Sequence, residues 1–176
     1  MNTEIAVRDY IQTKTVKCPY TGTFMEGVTE LNTAEKGKLG EMIFLKVINN
    51  KSKGTITGYA PNNGDNVDLM LSDGHRVEVK TSFGSKRQQP NKISGNINHI
   101  QSGKDYTRLV VVSYCMGENK EVKENIVWFD KADILKMIDE KQLKHQSGGL
   151  RAKNDDFSMS TNNAVNSKYA KRISEW

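Results

Sequence analysis

The sequence is poor in metal-binding and cross-linking residues, with only two cysteines, Cys18 and Cys115, and three histidines, at positions 75, 99 and 145. Two thiols cannot build a disulfide framework, and neither lies in a C-x-x-C pair. The scattered histidines do not complete a four-ligand zinc site. Both cysteines are therefore expected to be reduced, with Cys115 in a core strand. No apolar run is long enough to cross a bilayer. The first residues, MNTEIAVRDYIQTK, alternate in charge and lack the apolar stretch of a signal peptide. A cytoplasmic protein with no membrane association is expected.

What is present describes a folded domain. The 176 residues are 36% hydrophobic and 27% charged, the balance of a globular chain. They fit one domain, 1–176, with a core over about 33–141 and a polar C-terminal extension over 142–176. The net charge is +5, and its distribution matters more than its size. From Lys80 to Lys104 there are five basic residues and no acid. The segment from Lys141 onward is basic again, with the acids concentrated at 117–140. Basic stretches of this kind suit phosphate contacts, although a charge run alone is more often a solvated face.

Residues 1–32 read as a short helix or strand and then a turn-rich loop. A helix follows, capped by Asn32 or Thr33, with Leu39, Met42, Ile43, Val47 and Ile48 at helical spacing. Strands are expected at Thr55–Tyr59, Asn66–Leu71 and Arg76–Lys80, the last two joined by a tight turn at Asp73-Gly74. Residues 81–96 read as a surface loop and Asn96–Ser102 as a short helix. Thr107–Cys115, with its LVVV run, reads as a buried central strand. Ile126–Phe129 is a further strand. Asp130–Lys141 is a helix with Ile134, Leu135 and Ile138 inward. The last thirty residues are polar, yet Phe157, Met159, Tyr169, Ile173 and Trp176 imply that they dock. The fold class is α/β of the α+β type: a central mixed sheet flanked by helices.

The chemistry lies in the hairpin from Asn66 to Lys80. On a strand, Glu78 and Lys80 share one face while Val77 and Val79 take the other. Across the turn, Asp68 falls near Glu78. Two close carboxylates repel each other, and a divalent cation relieves this; hard oxygen donors with room for water suit Mg²⁺. Lys80 can stabilise developing negative charge or place the attacking water. Glu41, on the first helix, is a candidate further ligand. Asp65 competes with Asp68 but lies in the preceding loop. A Glu-x-Lys tripeptide alone is weak evidence, since salt-bridged ladders carry the same residues; its conjunction with Asp68, the hairpin and the helix is what carries weight.

Over residues 34 to 115, this layout resembles the restriction-endonuclease-like, or PD-(D/E)xK, nuclease superfamily, most like its type II restriction enzymes. EKGKLGEMIFLKVI is similar to the family's first helix, NVDLML to the aspartate strand and VEVKTS to the E-x-K strand. INHIQSGKDYTRLVVVSY is similar to the helix and core strand that follow. One departure is that Val67, not proline, precedes Asp68. The resemblance implies Mg²⁺ on Asp68 and Glu78, Lys80 assisting hydrolysis, and 5′-phosphate ends on double-stranded DNA.

Lys86, Arg87 and Gln88 follow the site and have the donor and acceptor geometry to meet phosphates or base edges. Gln101, expected on the following helix, is a candidate support for Lys80 or a DNA contact. Arg151 and Lys153 are candidates in the polar extension, and His75 in the turn. Two-fold symmetry of a palindromic duplex implies a homodimer. The rival readings are a junction-resolving nuclease, which Lys36-Gly37 followed by Glu41 resembles, and a DNA-binding module that has lost catalysis.

Overall fold

The computed structural model describes residues 18–61, 66–84, 86–89, 92–117, 119, 121–146 and 155–176, with 86–89 and 92–94 described as backbone. In chain order the elements are α1 (Thr33–Lys51), β1 (Gly58–Tyr59), β2 (Leu69–Leu71), β3 (Arg76–Phe83), β4 (Lys86–Gln89), β5 (Lys92–Ser94) and β6 (Asn96–Gln101). They continue with β7 (Arg108–Met116), β8 (Val122–Asp130), α2 (Lys131–Asp139), β9 (Lys144–His145), β10 (Asp156–Ser160), α3 (Thr161–Asn166), β11 (Lys171–Arg172) and a 3₁₀ turn, Ile173–Glu175. This is an α+β protein with a mixed main sheet, a second small sheet and three helices among the described residues.

The main sheet runs β1-β2-β3-β7, continues through β8 to β11, and carries the β4–β5 hairpin at the far end of β7. Its parallel pair is β3 with β7, in register from Val77↔Arg108 to Phe83↔Tyr114. The small sheet has the order β6-β10-β9.

The helix α1 begins where the capping residues dictate. Asn32 and Glu35 form a capping box: the Glu35 N–H donates to Asn32 Oδ1 at 3.0 Å and the Asn32 N–H donates to Glu35 Oε2 at 2.7 Å. Its buried stripe is Gly40, Phe44 and Ile48, four residues apart, whereas Met42 is left exposed, contrary to expectation. On α2 the inward residues are Ile134 and Met137; Leu135 points outward, one position off the stripe.

Both faces of the main sheet are covered. One cluster holds Phe44 and Ile48 of α1 with Val77, Val79, Val110 and Val112. The other holds Leu109, Val111, Val127 and Phe129 with Ile97, Ile100 and Met159 of the small sheet. This second layer corrects the expectation of a loop over 81–96 and a helix over 96–102. Asn96–Gln101 is a strand, paired with β10 through Asp156↔Gln101 and Phe157↔Ile100. The reason is visible in its pattern: Ile97 and Ile100 are fully buried and find partners in Phe157 and Met159, far along the chain. The crossover between the parallel strands is therefore made of strands rather than a helix.

The expected docking of the C-terminal residues holds. Trp176 packs in the first cluster against Phe44 and Trp128, ring centroids 5.3 Å away in each case. Its indole N–H donates to Asp73 Oδ2 at 3.0 Å, tying the last residue to the β2–β3 turn. Arg108 lies 4.2 Å above both the Trp128 and the Trp176 rings. Among the described residues no helix is long and apolar enough to cross a membrane.

Candidate active site

The site is set by one turn and one parallel pairing. Gly74 adopts φ 88°, a conformation open to glycine at little cost, and this closes the β2–β3 hairpin. The resulting register, Leu69↔Val77 and Met70↔Arg76, brings Asp68 opposite Glu78 just before β2 begins. The Asp68 N–H donates to the Val77 carbonyl at 3.1 Å, and the Val79 N–H donates to Asp68 Oδ2 at 2.8 Å. The aspartate is thus fixed from both its backbone and its side chain. Glu78 and Lys80 share a face with Leu109 and Val111, their partners on β7, as the alternation requires.

Glu78 is buried, at 1% exposure. A buried carboxylate requires compensating charge. Lys80 Nζ donates to its Oε1 at 2.7 Å. A second lysine, Lys104, donates to Oε1 at 2.8 Å and to Oε2 at 3.0 Å. Both ammonium groups keep a little access to water, at 17% and 18% exposure. Asp68 has no ion-pair partner among the described residues and accepts one side-chain hydrogen bond, from Val79. The centre therefore consists of two carboxylates and two ammonium groups, with the cations drawn to Glu78.

The imbalance shows in protonation. Asp68 is held above the ordinary carboxyl value of 3.8, first because burial strips water from it and second because the Glu78 carboxylate repels its charge. The Val79 hydrogen bond and the two lysines offset part of this. A carboxyl whose folded value is raised contributes stability below its unfolded value, and loses that contribution as pH rises through the folded value. At neutral pH the ionised Asp68 therefore costs stability. Asp68→Asn keeps an oxygen for the Val79 N–H and removes the charge. It is expected to raise Tm at neutral pH, by an amount that shrinks as the pH falls into the ordinary carboxylate range. Thermal melts across that range check this, and a lower Tm for the variant at neutral pH would contradict it.

Tyr106 adds to the centre. It is 1% exposed, and its hydroxyl has no hydrogen-bond partner among the described residues. Burial and the Glu78 carboxylate raise its phenol above its usual value. Neither Lys104 nor Tyr106 stands out in the sequence as a site residue. Lys104 is one more cation in a basic stretch, in a Ser-Gly-Lys-Asp turn, and only the return of that turn onto β3 gives it a role. That return depends on β6 being a strand.

The other expected site residues separate from this centre. Glu41 lies on α1, which packs on the opposite face of β3 through Gly40 against Thr81. Its carboxylate pairs with Lys38 at 2.7 Å. Among the described residues no group of three or more His, Cys, Asp or Glu side chains is placed to hold a metal, so Glu41 does not join Asp68 and Glu78 as a third ligand. Gln101 ends β6 rather than lying on a helix, and its carbonyl accepts from the Lys104 N–H at 3.4 Å. Lys86, Arg87 and Gln88 lie on β4, not in a loop. Its partner β5 pairs with β7 at Met116, whereas Lys80 pairs at Val111, five residues or roughly 16 Å earlier along that strand. His75 bonds through Nδ1 to Thr107 Oγ1 at 3.2 Å and packs edge-on to Trp176. Asp65, Arg151 and Lys153 lie outside the described residues.

The donor set fits Mg²⁺. That ion commonly takes one or two carboxylates and keeps the rest of its shell for water and phosphate oxygens, so a third carboxylate is not needed. Asp68, just before β2, and Glu78, on β3, would supply two hard oxygen donors, and a shared cation would relieve the repulsion that raises Asp68. No protein-family model matches the chain, and no curated protein matches it.

Proposed function

We propose that this chain is a Mg²⁺-dependent endonuclease hydrolysing phosphodiester bonds of double-stranded DNA, sequence-specific and restriction-like, with Asp68 and Glu78 as the metal-holding pair and Lys80 as the catalytic cation. The observation that carries the reading is the position of Asp68. It is a half-buried carboxylate without an ion-pair partner among the described residues, pressed against Glu78 on the strand that also bears Lys80. A purely structural ion cluster would place cations on both carboxylates.

When bound, Mg²⁺ polarises a phosphate oxygen and lowers the pKa of a coordinated water. The protein's own groups do the remainder. The Val79 N–H keeps Asp68 oriented, and the fixed β2–β3 register holds the spacing of the two carboxylates. Lys80, anchored at Glu78 Oε1, presents an ammonium where negative charge builds on the phosphate. The order α1, β1, β2, β3, β7 supports a restriction-endonuclease-like core, with the strand-built crossover as its departure. The mildly basic chain and the β4–β5 hairpin, with Lys86, Arg87 and Gln88, suit a duplex lying along the sheet end. On this reading a homodimer cuts both strands.

Digestion of a linear duplex and of a four-way junction, each end-labelled and supplied with Mg²⁺, tests the substrate. Cleavage of the plain duplex leaving 5′-phosphate ends is expected. Cleavage confined to the junction would replace the restriction-like reading with junction resolution. Binding of either substrate without cleavage would leave a DNA-binding module.

A further inference from the structure

The two lysines of the centre are not equivalent. Lys80 is on β3 itself, two residues from Glu78, and reaches only Oε1. Lys104 comes from the turn after β6 and takes both carboxylate oxygens. Its backbone is held in place: the Ser102 N–H donates to the Asp155 carbonyl at 3.2 Å and the Gly103 N–H to Asp155 Oδ2 at 3.2 Å. Lys131 Nζ donates to the Lys104 carbonyl. The turn is pinned while the ammonium, on a flexible four-carbon stem, remains partly open to water.

With both lysines in place, each Glu78 oxygen already has an ammonium partner. A cation that joins Glu78 to Asp68 must come in beside these ammonium groups, whose charge opposes it. Among the described residues Oε2 meets the Lys104 ammonium alone, so an ion approaching that oxygen would be opposed chiefly by Lys104, while Lys80 could keep its bond to Oε1. We propose that Lys104 is a positioning residue acting as an exchangeable counter-ion: it neutralises Glu78 and holds it in place, and gives up its hold when the divalent ion binds. This rests on the metal-site reading above and adds a residue to it. The exchange keeps Glu78 compensated throughout, since leaving it buried without a partner is costly. It also makes metal affinity a competition, weaker than the two carboxylates alone would give.

The test is Mn²⁺ binding followed by the EPR signal of the free ion, in the absence of DNA. Lys104→Gln keeps a hydrogen-bond donor but removes the competing charge, and is expected to bind Mn²⁺ about tenfold more tightly than the unaltered protein. Lys104→Arg keeps the charge and is expected to show no gain. Equal or weaker binding by Lys104→Gln, with binding by the unaltered protein that is lost in Glu78→Gln, overturns the counter-ion role and leaves the metal site standing. No Glu78-dependent binding in either protein overturns both. A second measurement needs no substitution at Lys104. On titrating the unaltered protein with Mg²⁺, the Lys104 ammonium NMR resonance is expected to move to the position of a solvated lysine, while that of Lys80 stays. If both resonances remain in place as the ion binds, the exchange does not occur.

Discussion

Lys80→Ala is expected to lower the rate of DNA cleavage by at least about a hundredfold, the loss typical of removing one preorganised charge from a developing oxyanion. Duplex binding in Ca²⁺ should change little. The separation follows from where Lys80 sits. Its stem is on a strand paired on both sides, so the alanine variant keeps the β2–β3 and β3–β7 registers. Glu78 keeps Lys104 on both oxygens, so its burial remains compensated. What disappears is the ammonium beside the reacting phosphate. Single-turnover cleavage and a gel shift on the same duplex measure the two quantities. Cleavage at the full rate in this variant would remove Lys80 from the mechanism.

The same substitution at two glycines of α1 is expected to act in opposite directions. A Cβ on Gly40 would lie 1.8 Å from Thr81 Oγ1 and 2.9 Å from Thr81 Cβ, inside contact distance with a side chain on the strand after Lys80. Gly40→Ala therefore forces α1 away from β3, at a cost of about 2 kcal/mol after the helix-propensity gain is counted. A Cβ on Gly37 meets nothing within 4 Å. Gly37→Ala should stabilise by about 0.8 kcal/mol, the propensity difference alone. Chemical denaturation of both variants gives the signs. Adding Thr81→Ala to Gly40→Ala should recover part of the loss, because the clash is with that side chain. Because Thr81 adjoins Lys80, the lost packing should also reduce activity.

The local features of the fold and site were legible in the sequence, and the non-local ones were not. The Asp73-Gly74 turn and the alternation of Val77, Glu78, Val79 and Lys80 are decided by neighbouring residues and stand as read, and of the two candidate caps, Asn32 and Thr33, the helix uses Asn32. The burial of Glu78 was not legible, because it depends on a second layer formed by residues 96–101 and 156–160, which pair across more than fifty positions. Asn96–Ser102 reads as a short helix until its partner strand is known. Lys104 was hidden for the same reason. Glu41 shows the opposite failure: helical periodicity gave its element correctly but not the side of the sheet on which it packs. The stripe that decides this begins at Gly40, a residue with no hydrophobic signal, and runs through Phe44 to Ile48.

The most direct test is incubation of the purified protein with a plasmid of known sequence, in Mg²⁺ and separately in EDTA, read on a gel. Discrete fragments are expected in Mg²⁺ and intact plasmid in EDTA. Cleavage that persists in EDTA, or a plasmid left intact in Mg²⁺ by protein shown to bind it, would contradict the claim that Asp68, Glu78 and Lys80 form a metal-dependent centre for cutting duplex DNA.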